Sequence, residues 1–460
     1  MTSIKIFIVF LLIFPISIIF AQTNEETETP VSSVIDEQRD IIRFGTETEI
    51  ANLIQTLRTG RASYLDDELI DIANRTRNRS ILTGLFGFFG ELEKSGLEDR
   101  AMRAIRERDY EVNETITAAV DYLGRVRAIE AIPVLMELIN SGESRFLTNS
   151  IRALGRAASG EDAEDESENA SFFLLDYYNN RFPSDDNRRE IVIALGETRS
   201  NASVSFLRDI VMNNDERAFL RISALDALSK IGDYEGLDAI IEAVSSSDPN
   251  IRSAAVSALG PFSGETVEEA ILEAFRDSFW RTRIGAAQAA GMRQMESAVP
   301  FLRFRAENDE VPQVRDEAIR ALGAINTAET IEILDNLFTN RRNSDRIRLM
   351  AGEMLLLYQA EAYSLKITVE MEDARTRNQT PLYNGFVRIL TTAVSSSLED
   401  TARRLLETGG VIERSLALDM VMNNEFHSLA DNVRTLLDEQ RHGASLARKA
   451  RLTLERLGLE

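Results

Sequence analysis

Apolar residues recur three and four positions apart along almost the whole chain, from Ile35 to Leu459, in short segments separated by polar turns. This is the spacing of amphipathic helices, and no long alternating run of the kind a strand needs interrupts it. In DPNIRSAAVSALG (248–260), Ile251, Ala254, Ala255, Ala258 and Leu259 stand at i, i+3, i+4, i+7 and i+8 and make one stripe. Asp248 is placed to cap this helix, and Pro249 occupies a position where a missing N–H costs little. Gly260 is expected to supply the left-handed residue that ends it. ETVEEAILEAF repeats the stripe with Val267, Ala270, Ile271, Ala274 and Phe275, so two helices and a tight turn make one hairpin. The weakest helical signal falls on LKITVEME (365–372), where β-branched residues disfavour a helix.

The glycine position repeats. Gly124, Gly155, Gly196, Ser229, Gly260, Gly291, Gly323 and Leu356 follow one another at steps of 31, 41, 33, 31, 31, 32 and 33 residues. Two helices per period near 32 predict an all-α fold, an α-solenoid whose superhelix stacks about eleven hairpins. Each hairpin exposes an apolar stripe on both flanks and buries it only by stacking. The long step carries EDAEDESE (161–168), whose charge predicts a solvated, disordered loop. LFGFFG (85–90) reads as an early hairpin in which glycines let Phe rings interleave, and Glu91 and Glu93 argue against membrane contact.

The chain therefore divides into a signal peptide (1–21), a disordered tether (22–34), N-terminal helical hairpins (35–111), a repeat core (112–360) and C-terminal hairpins with a cap (361–460). The signal is read from Lys5 followed by an uncharged apolar run, Ile6 to Ala21, broken by Pro15 and too short for a spanning helix. A retained anchor is the competing reading. After cleavage no stable membrane insertion is expected. The chain has no Cys, so an exported protein of this length relies on packing alone, which suits a bacterial envelope or periplasm better than a eukaryotic exterior. The net charge of −23 repels phosphate backbones, and nucleic acid is not an expected partner.

The first-helix segments AIPVLMELI (131–139) and AVPFLRF (298–304), with second-helix segments DPNIRSAAVSALG and VPQVRDEAIRALG, resemble HEAT repeats, nearest to the short HEAT-like repeats of the phycobiliprotein lyase type. The resemblance covers roughly 112–360 and implies a HEAT-like solenoid; it does not imply an activity, because such repeats serve enzymes, scaffolds and transport factors alike. It further implies a ladder between neighbouring repeats, formed by turn carboxylates and second-helix arginines. The arginine position is filled by Arg188, Arg221, Arg252, Arg283, Arg315 and Arg348, each shortly preceded by a carboxylate: Asp186, Glu216, Asp248, Asp277, Glu310 and Asp345. Those carboxylates neutralise the stripe, which favours a structural ladder over a basic binding surface.

Catalytic material is scarce. With two His and no Cys, thiol nucleophiles are absent and His-based triads or zinc sites are not expected. Carboxylate-only chemistry on envelope glycan is the enzymatic alternative, disfavoured by a single Trp. The expected function is a non-catalytic scaffold, without metal or cofactor, that binds a protein partner; a structural component of a larger envelope assembly is the other reading. Second helices line the concave face in such solenoids, which makes Asp226, Ser257, Gln288, Arg320 and Glu353 the expected contact positions. In DSFWRTR (277–283), Phe279 and Trp280 are the candidate aromatic anchor, with packing on a neighbouring hairpin as the structural alternative.

Overall fold

The computed structural model describes residues 31–459 apart from 61, 63, 161, 162 and 182. The expected signal peptide and most of the expected tether lie outside the described residues. Helix Val31–Phe44 opens before Ile35, so the last part of the expected tether is helical instead. The described residues form 26 α-helices with short 3-10 turns and no strand. One apolar core runs without interruption from Ile42 to Leu457, so the fold is a single stack of hairpins.

The local rules hold where they are simple. Asp248 accepts a hydrogen bond from the Asn250 N–H at 2.8 Å and Pro249 follows it, so helix Pro249–Ala258 starts as its residues require. Its stripe buries Ile251, Ala255, Val256 and Ala258. LKITVEME is helical: it continues helix Asp345–Thr376 beyond a break at Gln359 and buries Ile367 and Met371. Core packing there outweighs the β-branched propensity, which amounts to less than about 1 kcal/mol per residue.

The described part of EDAEDESE, from Ala163 onward, is not a disordered loop. From Glu164 onward it is the first turn of helix Glu164–Arg181, where Glu164, Asp165 and Glu166 meet the positive end of the helix dipole. Within it Ala163 is buried, and the Ser167 hydroxyl donates to the Thr198 carbonyl at 2.8 Å.

The glycine row also differs from its expected role. Gly124, Gly155, Gly196, Gly291 and Gly323 lie inside helices, and Gly260 has no left-handed backbone. The left-handed residues come three positions later, at Arg127, Arg199, Gly232, Gln294 and Asn326. The glycines serve close approach instead. A Cβ on Gly124 would stand 2.7 Å from Ala153 Cα, on Gly155 2.8 Å from Ala194 Cα, and on Gly196 2.6 Å from Ala227 Cα. Each partner alanine lies two residues before the next repeat's glycine position, so one contact propagates from hairpin to hairpin.

This contact sets the layers. Second helices pack directly on one another: Asp185–Thr198 on Ser144–Ala157 and Ala218–Ile231, and Trp280–Met292 on Pro249–Ala258 and Pro312–Ile325. First helices, such as Val299–Asn308 and Ala328–Thr339, touch only sparingly. A row spaced more tightly than its companion becomes the inner side of a curved stack, which places the second helices on the concave face. LFGFFG belongs to the same scheme: Leu85, Phe86, Phe88 and Phe89 are buried, and Gly90 faces Tyr122 of the next second helix.

Gly196→Ala is expected to lose about 1–3 kcal/mol of stability, because neither backbone can yield without opening the stack. Gly232→Asn is expected to cost far less, since Gly232 has φ +73° with open space around it and Asn tolerates that conformation. Urea unfolding of the two variants beside the parent measures both.

Candidate protein-binding surface

Two sets of residues compete for a functional role: the arginine ladder on the turn edge, and the exposed positions of the inner face. The ladder is real but incomplete. Arg252 holds Asp277 with two hydrogen bonds of 2.8 and 3.0 Å, and Arg283 holds Asp309 with two of 2.8 Å. Arg188 reaches Glu216 at 2.6 Å and Arg348 reaches Glu370 at 2.7 Å. Each carboxylate belongs to the following repeat, so a rung joins neighbouring hairpins. Arg252 and Arg283 also donate to carbonyls of the turn before their own helix: Ser246 and Ser247 for Arg252, Asp277 and Ser278 for Arg283.

Arg221 and Arg315 meet no carboxylate among the described residues. They donate to the Val211 carbonyl at 2.9 Å and the Asp309 carbonyl at 2.5 Å respectively. Asp248, expected in the ladder, forms no ion pair among the described residues because its side chain caps its own helix. Asp309 rather than Glu310 carries its rung. The rung carboxylate is recognisable by a local turn: Asp277 accepts from the Phe279 N–H at 2.7 Å, and Asp309 from the Val311 N–H at 3.0 Å. Ser246 does the same for the Asp248 N–H at 3.3 Å, one repeat earlier. The three stand 14 residues before Gly260, Gly291 and Gly323, a register visible in the sequence once the turn is known.

Burial decides what a rung is worth. The Asp309 side chain is 0% exposed and Arg283 6%, whereas Arg252 and Asp277 are 19% and 13% exposed. Burial alone would raise the Asp309 carboxyl; the hydrogen bonds from Arg283 and the Val311 N–H outweigh it and hold the group below its ordinary range. Asp277 is lowered chiefly by the Arg252 hydrogen bonds, against the opposing effect of burial.

The inner-face positions are all exposed. Asp226, Ser257, Gln288, Arg320 and Glu353 occupy one row on five successive second helices. Asp226 and Ser257 share a groove of about 490 Å³ with Arg189, Ile193, Ile222 and Lys230, whereas Gln288, Arg320 and Glu353 lie beyond it. Lys230 bridges Glu197 at 2.8 Å and Asp226 at 2.9 Å. Burial would depress its ammonium, but these two carboxylates raise it above its ordinary value. Arg320 is drawn back onto Glu317 of its own helix. A groove with apolar walls, one salt-linked rim and small residues on its floor suits a protein side chain.

Phe279 and Trp280 lie elsewhere, at the turn entering helix Trp280–Met292. Both are half-buried, their ring centres are 6.3 Å apart, and the Arg281 guanidinium lies 5.7 Å from the Phe279 ring centre and 4.9 Å from that of Trp280. The structure does not bring them to the inner-face groove. The two His side chains are also separate: His427 Nδ1 lies 2.7 Å from the Glu425 carbonyl, and His442 Nδ1 lies 3.1 Å from Arg414 Nη1. Among the described residues no group of three or more His, Asp or Glu is placed to hold a metal ion, and no helix is long and apolar enough to cross a membrane.

Stacked two-helix repeats, a repeating inter-repeat arginine ladder and a continuous core define a HEAT-type α-solenoid. The chain belongs to the family described as spirochaete HEAT repeat protein, whose model matches residues 42–453. Among curated proteins it is similar to the deoxyhypusine hydroxylase of Kluyveromyces lactis, 28% identical over 149 residues that make up 31% of this chain and 45% of that protein. The hydroxylase of Candida albicans is 26% identical over 180 residues, 38% of this chain and 55% of that one. The chain thus spans about half the length of these curated relatives. Among solved structures, Kap121p bound to Pho4p has a TM-score of 0.43 at 12% identity, covering 94% of this chain and 54% of that one. The complex of CpcE and CpcF of phycocyanin lyase from Nostoc sp. PCC7120 has a TM-score of 0.33 at 16% identity, covering 62% and 94%.

Asp309→Asn is expected to lose about 3–5 kcal/mol at neutral pH, because it leaves the buried Arg283 without its counter-charge. The Asp309 pKa is lowered on folding, so its contribution is complete above the unfolded value of about 3.9 and disappears as pH falls through the folded value. Denaturant unfolding from pH 7 to pH 2 should therefore show a shallower acid limb for the variant than for the parent.

Proposed function

We propose that this protein is a non-catalytic scaffold that binds a protein partner through the inner face of its solenoid, exported to the cell envelope of a bacterium. The observation that carries the binding role is the inner row itself. Five exposed, chemically varied side chains stand at one repeat position above a packing scheme that recurs from hairpin to hairpin, and two of them share a groove. Structure alone needs helix formers there; it does not need Asp, Ser, Gln, Arg and Glu in turn.

Export is supported by the basic and apolar residues at the start of the chain and by the absence of Cys. The non-catalytic reading is supported by the dispersal of the two His and by ladder carboxylates already engaged with arginine. The hydroxylase relatives are the reason to test for catalysis directly, although the match reaches only 31% of this chain in the first of them.

Crosslinking in intact cells, followed by capture of the tagged protein and mass spectrometry, is expected to return one dominant protein in fixed ratio. Asp226→Arg combined with Gln288→Arg should reduce that capture by at least about tenfold while the melting temperature stays within about 2 °C of the parent. Undiminished capture would remove the inner face as the binding surface. A large stoichiometric complex in place of one partner would favour the assembly-component reading.

A further inference from the structure

Arg221 is a rung of the ladder whose carboxylate is missing. The residue is only 9% exposed, and its Nε donates to the Val211 carbonyl, while Nη1 and Nη2 find no acceptor among the described residues. Two other rungs show what is absent. Arg188 and Arg348 likewise direct Nε to a group ten residues back, the Tyr178 hydroxyl at 2.8 Å and the Phe338 carbonyl at 3.0 Å. Both then place Nη2 on a carboxylate of the following repeat, Glu216 and Glu370.

The cause is one residue. Ser246 occupies the turn position that Asp277 and Asp309 hold in the next two repeats, and a serine hydroxyl is too short and uncharged to complete the rung. Asp248 does not replace it, because Oδ1 accepts from the Asn250 N–H and side-chain amide, at 2.8 and 3.2 Å. What remains is a cavity of about 580 Å³ lined by Arg221, Ser245, Ser246, Ser247, Asp248 and Glu242, among others.

A largely buried guanidinium whose two terminal nitrogens open onto a cavity without a protein acceptor gains from an incoming carboxylate, whose paired oxygens match its fork. The surroundings narrow the choice. Glu216, which also lines the cavity, is neutralised by Arg188, but Asp248 and the exposed Glu242 repel an acidic run and attract a cation. We propose that the Arg221 cavity is a carboxylate-binding subsite, filled by an Asp or Glu side chain of a protein partner that carries Lys or Arg beside it. This rests on the scaffold reading and adds to it a second contact point, on the turn edge rather than the inner face.

The test uses the full chain and two fluorescein-labelled glycine–serine peptides, one with Asp between two Lys and one with Asn in its place. In fluorescence anisotropy the Asp peptide should bind at least about tenfold more tightly than the Asn peptide, the scale of a charge-assisted hydrogen bond. Arg221→Gln should abolish the preference. Because Arg221 also supports the Val211 carbonyl, Ser246→Asp is the second variant: it keeps Arg221, supplies the carboxylate from within, and should raise the melting temperature while removing the preference. Equal binding of the two peptides to the parent, no binding of either, or a preference that survives in Ser246→Asp would overturn the subsite. Displacement of the Asp peptide by acetate at matched concentration would also overturn it, by making a free small carboxylate the ligand. If the crosslinked partner is still captured through the inner face while the peptides are not distinguished, the scaffold reading stands and only the subsite falls.

Discussion

The rest of this structure depends on how closely two second helices approach. Gly124, Gly155 and Gly196 present bare backbone to Ala153, Ala194 and Ala227, and a single Cβ at any of them would collide with the neighbouring Cα. Helices that meet without intervening side chains sit near the lower end of the usual range of about 8–10 Å. First helices touch one another only sparingly and bury larger side chains such as Leu207, Ile240 and Leu302, so their row is longer. That difference in row length bends the stack, exposes one position per repeat on its inner side, and leaves the turns along the edge where the arginines lie.

The ladder then works as a register device rather than a uniform source of stability. A buried ion pair contributes little net energy because desolvating both charges offsets most of their attraction, yet a mismatched charge is strongly penalised. Rungs at Arg252 and Arg283 therefore punish any slip between hairpins. Arg221 and Arg315 show that the stack does not need every rung, since their guanidinium groups are held by backbone carbonyls alone. A position freed from register duty is available for recognition, which is the physical basis for treating the Arg221 cavity differently from its neighbours.

Much of the fold is legible in the sequence, and the misreadings share one cause. Helices, hairpins, the period near 32 and the arginine row are local or periodic features, and each appears in the structure. The glycine row was legible as a row but not as a contact, because a glycine before a break in periodicity looks the same whether it ends a helix or admits a neighbour. EDAEDESE looks solvated by charge alone; Ala163 is buried, and Ser167 is drawn inward by Thr198, which lies in the following helix of the same repeat. Gly90 belongs to the contact row, but its place 34 residues before Gly124 is recognisable only from Tyr122 packed against it.

The sequence by itself determined the class of protein: helices from stripe spacing, a solenoid from the repeat, and a chemistry poor in His and without Cys. These follow from the properties of single residues and their intervals. Tertiary structure alone decided which carboxylate meets which arginine. Asp309 and Glu310 are adjacent and chemically alike, and only the turn that bonds Asp309 to the Val311 N–H points one of them at Arg283. It also decided that Asp226 and Ser257 share a groove while Trp280 stands apart. A distance between side chains in different repeats depends on the spacing and bend of the whole stack, which no interval along the chain encodes.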